Sequence, residues 1–219
     1  MKDRAKIGLI GGTGPFGRGL GLRFAMAGDE VFIGSRDPSR AHTVAREIAE
    51  AGTDLRVSGS SNEEVALGAD VVFLTVAFEG HETTVKGLQG YLDEKIVVDA
   101  VVPLDRSLGR FRSVIVEQGS AAEQAQALLP KARVIGAFHT ISAKQLLVPN
   151  HSFLCDVFVC GDDAPAKRLV MAQAEKIVGV RAIDGEGLVC SRYVEGMVAL
   201  MLNINRVYKS DTSIKLIGI

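Results

Sequence analysis

The sequence predicts an α/β fold: a Rossmann-like, mostly parallel sheet with helices on both faces, followed by a small α+β C-terminal domain. Strand-length and helix-length segments alternate along most of the 219 residues, and the strand segments are continuous apolar runs. Such runs are typical of parallel strands that are covered on both faces. A glycine-rich turn between the first strand and the first helix is typical of dinucleotide-binding units. We expect the first domain to span residues 1–138 and the second to span residues 139–219.

Helix starts in the first domain are marked by residues that favour N-cap positions. Asp37 precedes a proline and predicts the start of the second helix. Ser61 and Ser120 are each followed three residues later by a glutamate, which is the spacing of a capping box. The predicted strands of this domain span residues 6–10, 30–34, 55–58, 71–76, 95–99 and 132–137, and its best-defined helices span residues 15–27 and 38–51.

The pattern changes beyond residue 138. A loop that contains Pro149 leads to a predicted strand at 156–160, a helix at 164–178 and a long helix of mixed polarity at 188–209. The tail at 210–219 carries several apolar residues, and we expect it to pack on a partner subunit. Because most soluble oligomers are symmetric dimers, the expected assembly is a homodimer.

The composition excludes several classes of protein. With 47% hydrophobic and 23% charged residues and a net charge of -1, the chain is neither disordered nor basic enough to suggest nucleic acid as a partner. Its apolar runs fall short of the roughly 20 residues that cross a bilayer, so no membrane association is expected. The N-terminus has no signal-peptide layout, which predicts a cytoplasmic protein. The three cysteines lack the spacing of a zinc site, so we expect no metal and interpret them as buried, inert thiols.

The glycine-rich turn has the G-x-G-x-x-G pattern of dinucleotide-binding proteins. Its residues are Gly12, Thr13, Gly14, Pro15, Phe16 and Gly17. Gly12 would permit the tight turn, Gly14 would let the backbone approach a pyrophosphate, and Gly17 would allow close packing of the helix on the strand. The helix N-terminus would supply free N–H groups for the phosphates. The alternative is a glycine-rich turn that packs without a ligand.

The end of the second predicted strand favours NADP over NAD. An acidic residue there would bind the ribose 2′-hydroxyl of NAD and repel a 2′-phosphate. The sequence instead has Ser35 and Arg36, with Arg40 one helical turn later, and these residues suit a phosphate. The alternatives are that both arginines are solvated surface charges, or that Asp37 reaches the ribose rather than capping its helix.

Small and apolar residues follow the later strands, where ligands bind in open α/β sheets. They are Val76, Ala77, Phe78, Ala100, Val101, Val102, Pro103, Phe138, His139 and Thr140. We interpret them as an apolar wall beside a nicotinamide ring, with His139 as the candidate for proton transfer. His42, His81 and His151 are predicted to be ordinary surface or loop residues. The sequence shows no Ser-His-Asp order or carboxylate pair for hydrolysis, whereas hydride transfer between two bound rings needs mainly stacking and orientation.

The sequence resembles the NADPH-dependent F420 reductases, or F420H2:NADP oxidoreductases. The matching stretches are residues 9–14, 34–36, 95–98, 102–103, 120–123, 139–141, 159–163, 191–192, 194–195, 202–204 and 214–215. The resemblance implies that NADP and the deazaflavin F420 meet in a cleft between the two domains. By position, it assigns NADP binding to Thr13, Gly14, Pro15, Phe16, Ser35, Arg36 and Arg40. It places His139 and Ile141 at the border of the two rings and assigns F420 binding to Arg192. We also include Ala143 among the predicted cofactor-binding residues.

The sequence departs from this family on the acceptor side. Members usually have hydroxyl residues one turn after the Arg-x-x-Glu motif, whereas this chain has Gly196 and Val198, and nearby Ser191 could compensate. The acceptor could therefore be another flavin or a small imine or carbonyl compound, and a non-enzymatic NADP-binding redox sensor is a third hypothesis. The alternative for Arg192 and Glu195 is an ordinary ion pair on a helix surface.

Overall fold

The computed structural model describes residues 5–107 and 109–219 of the chain. Eight strands form one sheet in the order β10-β9-β8-β5-β4-β1-β2-β3, and a two-stranded ribbon, β6-β7, stands apart from it. The strands are Lys6–Ile10 (β1), Glu30–Ser35 (β2), Arg56–Ser61 (β3), Val71–Leu74 (β4), Ile96–Asp99 (β5), Leu104–Asp105 (β6), Arg112–Ser113 (β7), Arg133–Ala137 (β8), Cys155–Gly161 (β9) and Val180–Asp184 (β10). Neighbours in the large sheet are parallel except β8 and β9, which are antiparallel.

Helices cover both faces of this sheet, which confirms the predicted Rossmann-like fold class. The helices are Pro15–Met26 (α1), Pro38–Ala49 (α2), Asn62–Gly68 (α3), Phe78–Gly87 (α4), Ala121–Leu128 (α5), Ala143–Leu146 (α6), Ala164–Ala174 (α7) and Ser191–Tyr208 (α8). One apolar core contains β-strand residues such as Leu9 and Phe73 and packs under α1, α2 and α7. The other contains Ile10 and Leu74 and packs under α3, α4 and α5. Alternate residues of each central strand thus supply the two cores.

The order of the strands reverses between β1 and β4, at the centre of the sheet. From β1 the chain moves outward through β2 and β3, then returns to the other side of β1 and continues through β4, β5 and β8. Connections on the two sides therefore leave the carboxyl ends of β1 and β4 in opposite directions. In open α/β sheets a ligand binds in the crevice that this reversal leaves.

The predicted helix caps are present, with one difference. The Asp37 carboxylate accepts a hydrogen bond from the Ser39 amide, and Ser61 and Glu64 form a complete capping box. Ser120 accepts from the Glu123 amide at 3.0 Å. The Glu123 carboxylate does not return to the Ser120 amide; it accepts from the Ser120 hydroxyl instead and pairs with α8.

Residues beyond 138 contribute to the same sheet rather than only to a separate layer. Ile135 of β8 is opposite Gly161 of β9, and β10 extends the sheet beyond β9. The helices of this region are α6, α7 and α8, of which α8 is the longest. Sequence reasoning did not identify β10, nor α4 and the β6-β7 ribbon in the first half. The domain boundary at residue 138 stays a prediction.

The C-terminal tail is bound to its own chain. The Asp156 amide donates to the carbonyl of Ile214 at 2.7 Å, and the Leu216 amide donates back to the Asp156 carboxylate at 2.6 Å. Arg181 bridges the same carboxylate and the carbonyl of Ile219. The tail therefore straps β9 and β10, while the side chain of Ile219 stays exposed.

Two of the three cysteines fit the expectation of inert thiols. Cys155 and Cys160 are buried, and burial raises the pKa of each thiol to about 11. A thiol with such a pKa is almost wholly protonated near neutral pH and is a poor nucleophile. Cys190 is partly exposed, which differs from the expectation.

Candidate nucleotide-binding site

The first βα turn is closed by backbone hydrogen bonds and one buried side chain. The Gly12 amide donates to the carbonyls of Leu9 and Gly34, at 3.1 and 2.9 Å, and so joins the ends of β1 and β2. The Gly11 amide donates to Oδ1 of Asn62 at 3.2 Å. Asn62 is buried at the start of α3, and sequence reasoning missed it because no motif marks a residue that acts only through the fold. The turn is held in shape before any ligand arrives.

The three positions of the motif hold glycine for different reasons. A Cβ atom at Gly12 would lie 2.8 Å from the Leu9 carbonyl oxygen, and one at Gly17 would lie 2.5 Å from the Gly12 Cα atom. Gly12 is therefore required by the tightness of the turn itself, and Gly17 by the packing of α1 against the turn. A Cβ atom at Gly14 would meet no atom of the described part of the chain within 4 Å. The protein itself gives no reason for a glycine at 14, whereas a ligand that approaches the backbone closely does.

The N-terminus of α1 is open to an anion. Its N-cap is Gly14, with φ −77° and ψ 166°, and no side chain accepts a hydrogen bond from the first turn. Pro15 lies in the first turn, where its missing N–H costs no hydrogen bond of the helix. That turn has no acidic residue. Free N–H groups and the helix dipole make such an end a site for phosphate. The residues present thus fit the pyrophosphate of a dinucleotide.

A second helix start without a side-chain cap lies on the β4 side of the point where the strand order reverses. Ala77 is the N-cap of α4 and makes no side-chain cap. The strand that leads to it is fixed to the first turn, because Oγ1 of Thr75 donates to the Ile10 carbonyl at 2.8 Å. A Cβ atom at Gly11 would lie 2.5 Å from Val76. The structure therefore brings the predicted wall residue Val76 directly against the glycine turn, with Ala77 next to it in the chain.

Ser35 is the last residue of β2, Arg36 follows it, and Arg40 lies in the first turn of α2, as predicted. The Ser35 hydroxyl accepts from the Asp37 amide at 3.1 Å. The Asp37 carboxylate accepts from both the amide and the hydroxyl of Ser39, and the bond to the Ser39 side chain is the main cause of its lowered pKa. Asp37 is thus engaged in its helix cap. Both arginines are exposed, and neither forms an ion pair within residues 5–107 and 109–219.

The wall contributed by β5 and β8 is more enclosed than the turn. Ala100, Phe138 and Ile141 are buried, and Val102 is half-buried. Phe138 has φ +68°, a left-handed conformation that turns the chain sharply at the end of β8. Ala143 begins α6, which packs on α1, and its carbonyl oxygen lies 3.4 Å from the position of a Cβ at Gly19.

His139 has an unusual environment for a polar side chain. Its ring is fully enclosed, and neither Nδ1 nor Nε2 has a hydrogen-bond partner among the described residues. Burial lowers the pKa of His139 to about 4, so the ring is neutral near neutral pH. The nearest acidic group is the Glu195 carboxylate, 3.9 Å from Nε2. This is the position where the sequence placed its candidate for proton transfer.

Glu195 is a buried group, and the interpretation of it as half of a surface ion pair with Arg192 is wrong. Its carboxylate accepts hydrogen bonds from the Ala121 and Ala122 amides at 2.9 and 3.3 Å, at the N-terminus of α5. It is 4% exposed, and burial raises its pKa to about 8. Arg192 pairs instead with Glu123, through Nη2 at 2.6 Å and Nε at 3.2 Å. The spacing of the motif had suggested the wrong partner.

His81 is also misplaced by sequence reasoning, since it is fully buried rather than on the surface. Its Nε2 lies 2.7 Å from the Asp99 carboxylate and its Nδ1 lies 2.9 Å from Oε1 of Gln124. Burial opposes the charge on this ring, but the Asp99 carboxylate more than offsets burial, so the pKa of His81 is raised. Asp99 also accepts from the Val101 amide at 2.9 Å. The pair thus joins α4 and α5 to the end of β5.

The acceptor side differs from the predicted compensation. Val198 is buried, and Gly196 offers only its backbone, which accepts from the Ser113 hydroxyl at 3.5 Å. Ser191 is fully buried, and its Oγ atom would lie 2.1 Å from a Cβ at Gly136. Ser191 therefore packs against β8 and does not replace the missing hydroxyl groups.

A cavity of about 300 Å³ lies at the opposite ends of the strands and is separate from this site. It is lined by residues at the C-terminal ends of α1 and α7 and in the loop after α6. Because α1 starts at the carboxyl end of β1, its C-terminus lies at the amino ends of the strands. No group of three or more His, Cys, Asp or Glu side chains in the described parts of the chain is placed to hold a metal ion.

The fold and the first βα turn together define a dinucleotide-binding protein of the Rossmann class. A family model described as "NADP oxidoreductase coenzyme F420-dependent" matches residues 6–103. The F420-dependent NADP reductase of Methanothermobacter thermautotrophicus is 42% identical over 206 residues, which cover 91% of this chain and 89% of that protein. The enzyme of the same name from Methanocaldococcus jannaschii is 36% identical and covers 94% of each chain. The chain belongs to the F420-dependent NADP reductase family, which confirms the resemblance.

A solved structure gives the same result for the whole fold. It comes from Arthrobacter sp. FB24 and is described as a candidate F420-dependent NADP reductase. It superimposes with a TM-score of 0.82 at 26% identity and covers 98% of this chain and all of its own. The family is one of oxidoreductases, and the predicted enzyme class agrees with it.

Proposed function

We propose that this protein transfers a hydride between NADP(H) and the deazaflavin F420. The observation that carries the proposal is the open space at Gly14 over the uncapped N-terminus of α1, since it fits a pyrophosphate and has no other explanation in the fold. The relatives that match this chain end to end are named for both coenzymes. F420 is therefore the acceptor that the proposal commits to.

The NADP half of the site divides into three tasks. The backbone at Thr13–Gly17, which includes Pro15 and Phe16, holds the pyrophosphate against the helix end. Ser35, Arg36 and Arg40 receive the 2′-phosphate, because two unpaired guanidinium groups and a hydroxyl attract a dianion. Val76, Ala77 and Val102 provide apolar surface for the nicotinamide and keep water away from it.

The chemistry is a direct transfer between two rings. NADPH gives two electrons and one hydrogen nucleus to the deazaflavin, and one proton from the surroundings completes its reduction. The residues of this chain bind the two molecules, align them and exclude water, and direct hydride transfer needs mainly this positioning. Arg192, held on one edge by Glu123, would bind the acceptor through its remaining N–H groups.

The experiment is a spectrophotometric assay with purified protein, NADPH and F420. Loss of the absorbance of oxidised deazaflavin at the rate of NADPH consumption is the expected result. Gly14→Ala, which should weaken NADPH binding, provides the control, and boiled protein measures the background. No transfer in either direction between mildly acidic and mildly basic pH would refute the proposed function.

A second acceptor is favoured by one observation. Val198 is buried and Gly196 has no side chain, so the hydroxyl groups usual in the family are absent. The same assay with free flavins and small imine or carbonyl compounds would identify such an acceptor. Tight NADP binding with no turnover of any acceptor would instead favour a redox sensor.

The assembly is proposed from the exposed face of α8. We infer a homodimer through α8, where Tyr193, Leu200 and Val207 are spaced by seven residues and are all exposed. Light scattering of the purified chain would test it. We also infer a cytoplasmic location, and the near-neutral net charge supports the absence of a nucleic-acid partner. None of the helices in the described parts of the chain is long and apolar enough to span a bilayer.

A further inference from the structure

The two buried ring nitrogen atoms of His139 have no hydrogen-bond partner among residues 5–107 and 109–219, although buried polar groups are nearly always hydrogen-bonded. Leaving one such group unpaired costs roughly 1–3 kcal/mol. A neutral imidazole has one N–H donor and one acceptor nitrogen, and the position of the proton is set by the partner that each nitrogen finds. A nearby group that can be either a donor or an acceptor would therefore decide the tautomer of this ring.

Glu195 is placed to be that group. Its carboxyl oxygen lies 3.9 Å from Nε2 of His139, so a shift of about 1 Å gives a hydrogen bond. The amides of Ala121 and Ala122 hold the carboxyl from the other side. Burial favours the neutral form of both partners, which keeps one shared proton on the carboxyl near neutral pH.

The other charged groups around Glu195 are already paired with one another. Asp99 of β5 is bound to His81 of α4, so the effects of this pair on the carboxyl oppose each other. The remaining titratable groups on the elements that pack against α8 are Glu123 of α5, which pairs with Arg192, Arg112 of β7, which pairs with Asp105, and the Cys190 thiol. His139 is thus the partner left for Glu195 among the described residues.

We propose that Glu195 is a positioning residue that sets the tautomer of His139. As a carboxylic acid it donates its O–H to Nε2 and holds the imidazole proton on Nδ1. As a carboxylate it accepts from Nε2, and the imidazole proton then resides on Nε2. In the change, the carboxyl proton leaves to solvent and the ring loses a proton at Nδ1 and gains one at Nε2, so the ring stays neutral throughout.

The consequence for the reaction rests on the proposed function. His139 directly follows β8, at the edge of the sheet where the two rings are proposed to meet. The protonated acid makes Nδ1 a donor, and the carboxylate makes it an acceptor. Ionisation of Glu195 therefore reverses the hydrogen-bonding character of this wall and adds a negative charge behind it.

The direct test is nuclear magnetic resonance of the imidazole nitrogens in the full-length ¹⁵N-labelled protein without ligands. His139→Asn identifies the His139 signals among the four histidines. We expect the Nδ1–H tautomer at about pH 6.5 and the Nε2–H tautomer at about pH 9.5. An imidazolium at the lower pH, or the same tautomer at both, overturns the proposal.

Variants separate positioning from a purely structural role. Glu195→Gln keeps an N–H donor toward Nε2 and cannot ionise, so the Nδ1–H tautomer should persist at both pH values. Glu123→Gln replaces another carboxylate at the N-terminus of α5, the helix end that Glu195 caps. This variant should retain the pH-dependent change of the His139 tautomer. The same change of the His139 tautomer with pH in Glu195→Gln as in the wild-type protein would contradict the proposal. If Glu195→Gln fails to fold, the titration of the wild-type protein decides alone.

An activity measurement extends the test. The kcat/KM of the wild-type enzyme for F420 should fall about tenfold between pH 7 and pH 9, and that fall should be absent from Glu195→Gln. The same fall in both proteins would contradict a role of Glu195 in the reaction. Absence of any activity would refute the proposed function instead, while the tautomer measurement would still stand.

Discussion

Two alanine substitutions separate the ligand-binding glycine of the first turn from the packing glycine. Gly14→Ala adds a methyl group where no protein atom lies within 4 Å, on a backbone with φ −77° and ψ 166° that any residue adopts. Alanine is a poorer N-cap than glycine but loses less chain entropy on folding, and these effects nearly cancel. The free energy of unfolding should therefore change by less than about 1 kcal/mol.

Gly17→Ala adds the same methyl group 2.5 Å from the Gly12 Cα atom. Carbon atoms in contact sit about 3.5–4.0 Å apart, so the overlap is about 1 Å or more, and the opposing atom is backbone that cannot rotate away. Overpacking of this kind costs roughly 1–3 kcal/mol, and strain at a backbone contact belongs at the upper end. After a gain of about 1 kcal/mol from helix propensity, we expect a net loss near 2 kcal/mol. For a chain of this size that lowers Tm by about 4–8 °C.

The affinity for NADPH, unlike the stability, should fall strongly in Gly14→Ala. In Gly14→Ala the methyl group occupies the space proposed for the pyrophosphate, so the Kd for NADPH should rise about 10- to 100-fold, or about 1.4–2.8 kcal/mol. Calorimetric titration with NADPH and thermal unfolding by circular dichroism measure the two quantities on the same samples. Wild-type affinity in Gly14→Ala, or a loss of stability there equal to that of Gly17→Ala, would refute the assignment of Gly14 to a ligand.

Three further predictions concern charges. Arg36→Glu should weaken NADPH binding about 10- to 100-fold and NADH binding far less, because only NADPH carries the 2′-phosphate; equal weakening of both would exclude contact with that phosphate. Folding raises the pKa of Glu195 from 4.5 to about 8, so its stabilising effect is complete below pH 4.5 and is lost as pH rises toward 8. His139 acts oppositely between about pH 4 and 6.5, so from pH 6.5 to 8 the wild-type protein should lose about 2 kcal/mol more than Glu195→Gln, as measured by urea unfolding. Arg23→Met should destabilise the protein by about 2–4 kcal/mol, since the buried guanidinium donates to several backbone carbonyls in and after α6, whereas Arg46→Met on the exposed face of α2 should change stability by less than about 0.5 kcal/mol.

The features that sequence reasoning placed correctly depend on neighbouring residues. Asp37 and Ser61 cap the helices that follow them, and the glycine turn joins β1 to α1 as its spacing predicts. Each of these arrangements is decided within a few residues, by propensity and hydrogen bonds that the local sequence fixes. The helix α4, by contrast, contains Gly80 and two threonines and lacks a cap, so no local signal predicts it.

The errors concern polar residues whose partners are distant in the sequence. His81 was taken for a surface residue because its burial requires Asp99 at the end of β5 and Gln124 on α5. For Glu195, local spacing offers only Arg192 as an alternative partner, because the amides that it caps lie 74 and 73 residues away. Helical spacing gives the possible neighbours on one helix, but only the fold shows which buried groups need a partner.

The long-range pairs also explain how the acceptor side can be coupled to the nucleotide side. The N-terminus of α5 holds Glu195 through two amides and Arg192 through Glu123, and it lies next to the end of β5 through the His81–Asp99 pair. Removing one partner of such a buried pair leaves the other uncompensated, which costs more than the loss of a surface contact. A change in α8 therefore acts on the end of β5 and on the segment after β8 together. Substitutions that break these pairs should therefore alter the segment after β5, where Val102 is proposed to contact the nicotinamide, and should change the Kd for NADPH although they touch no part of the glycine turn.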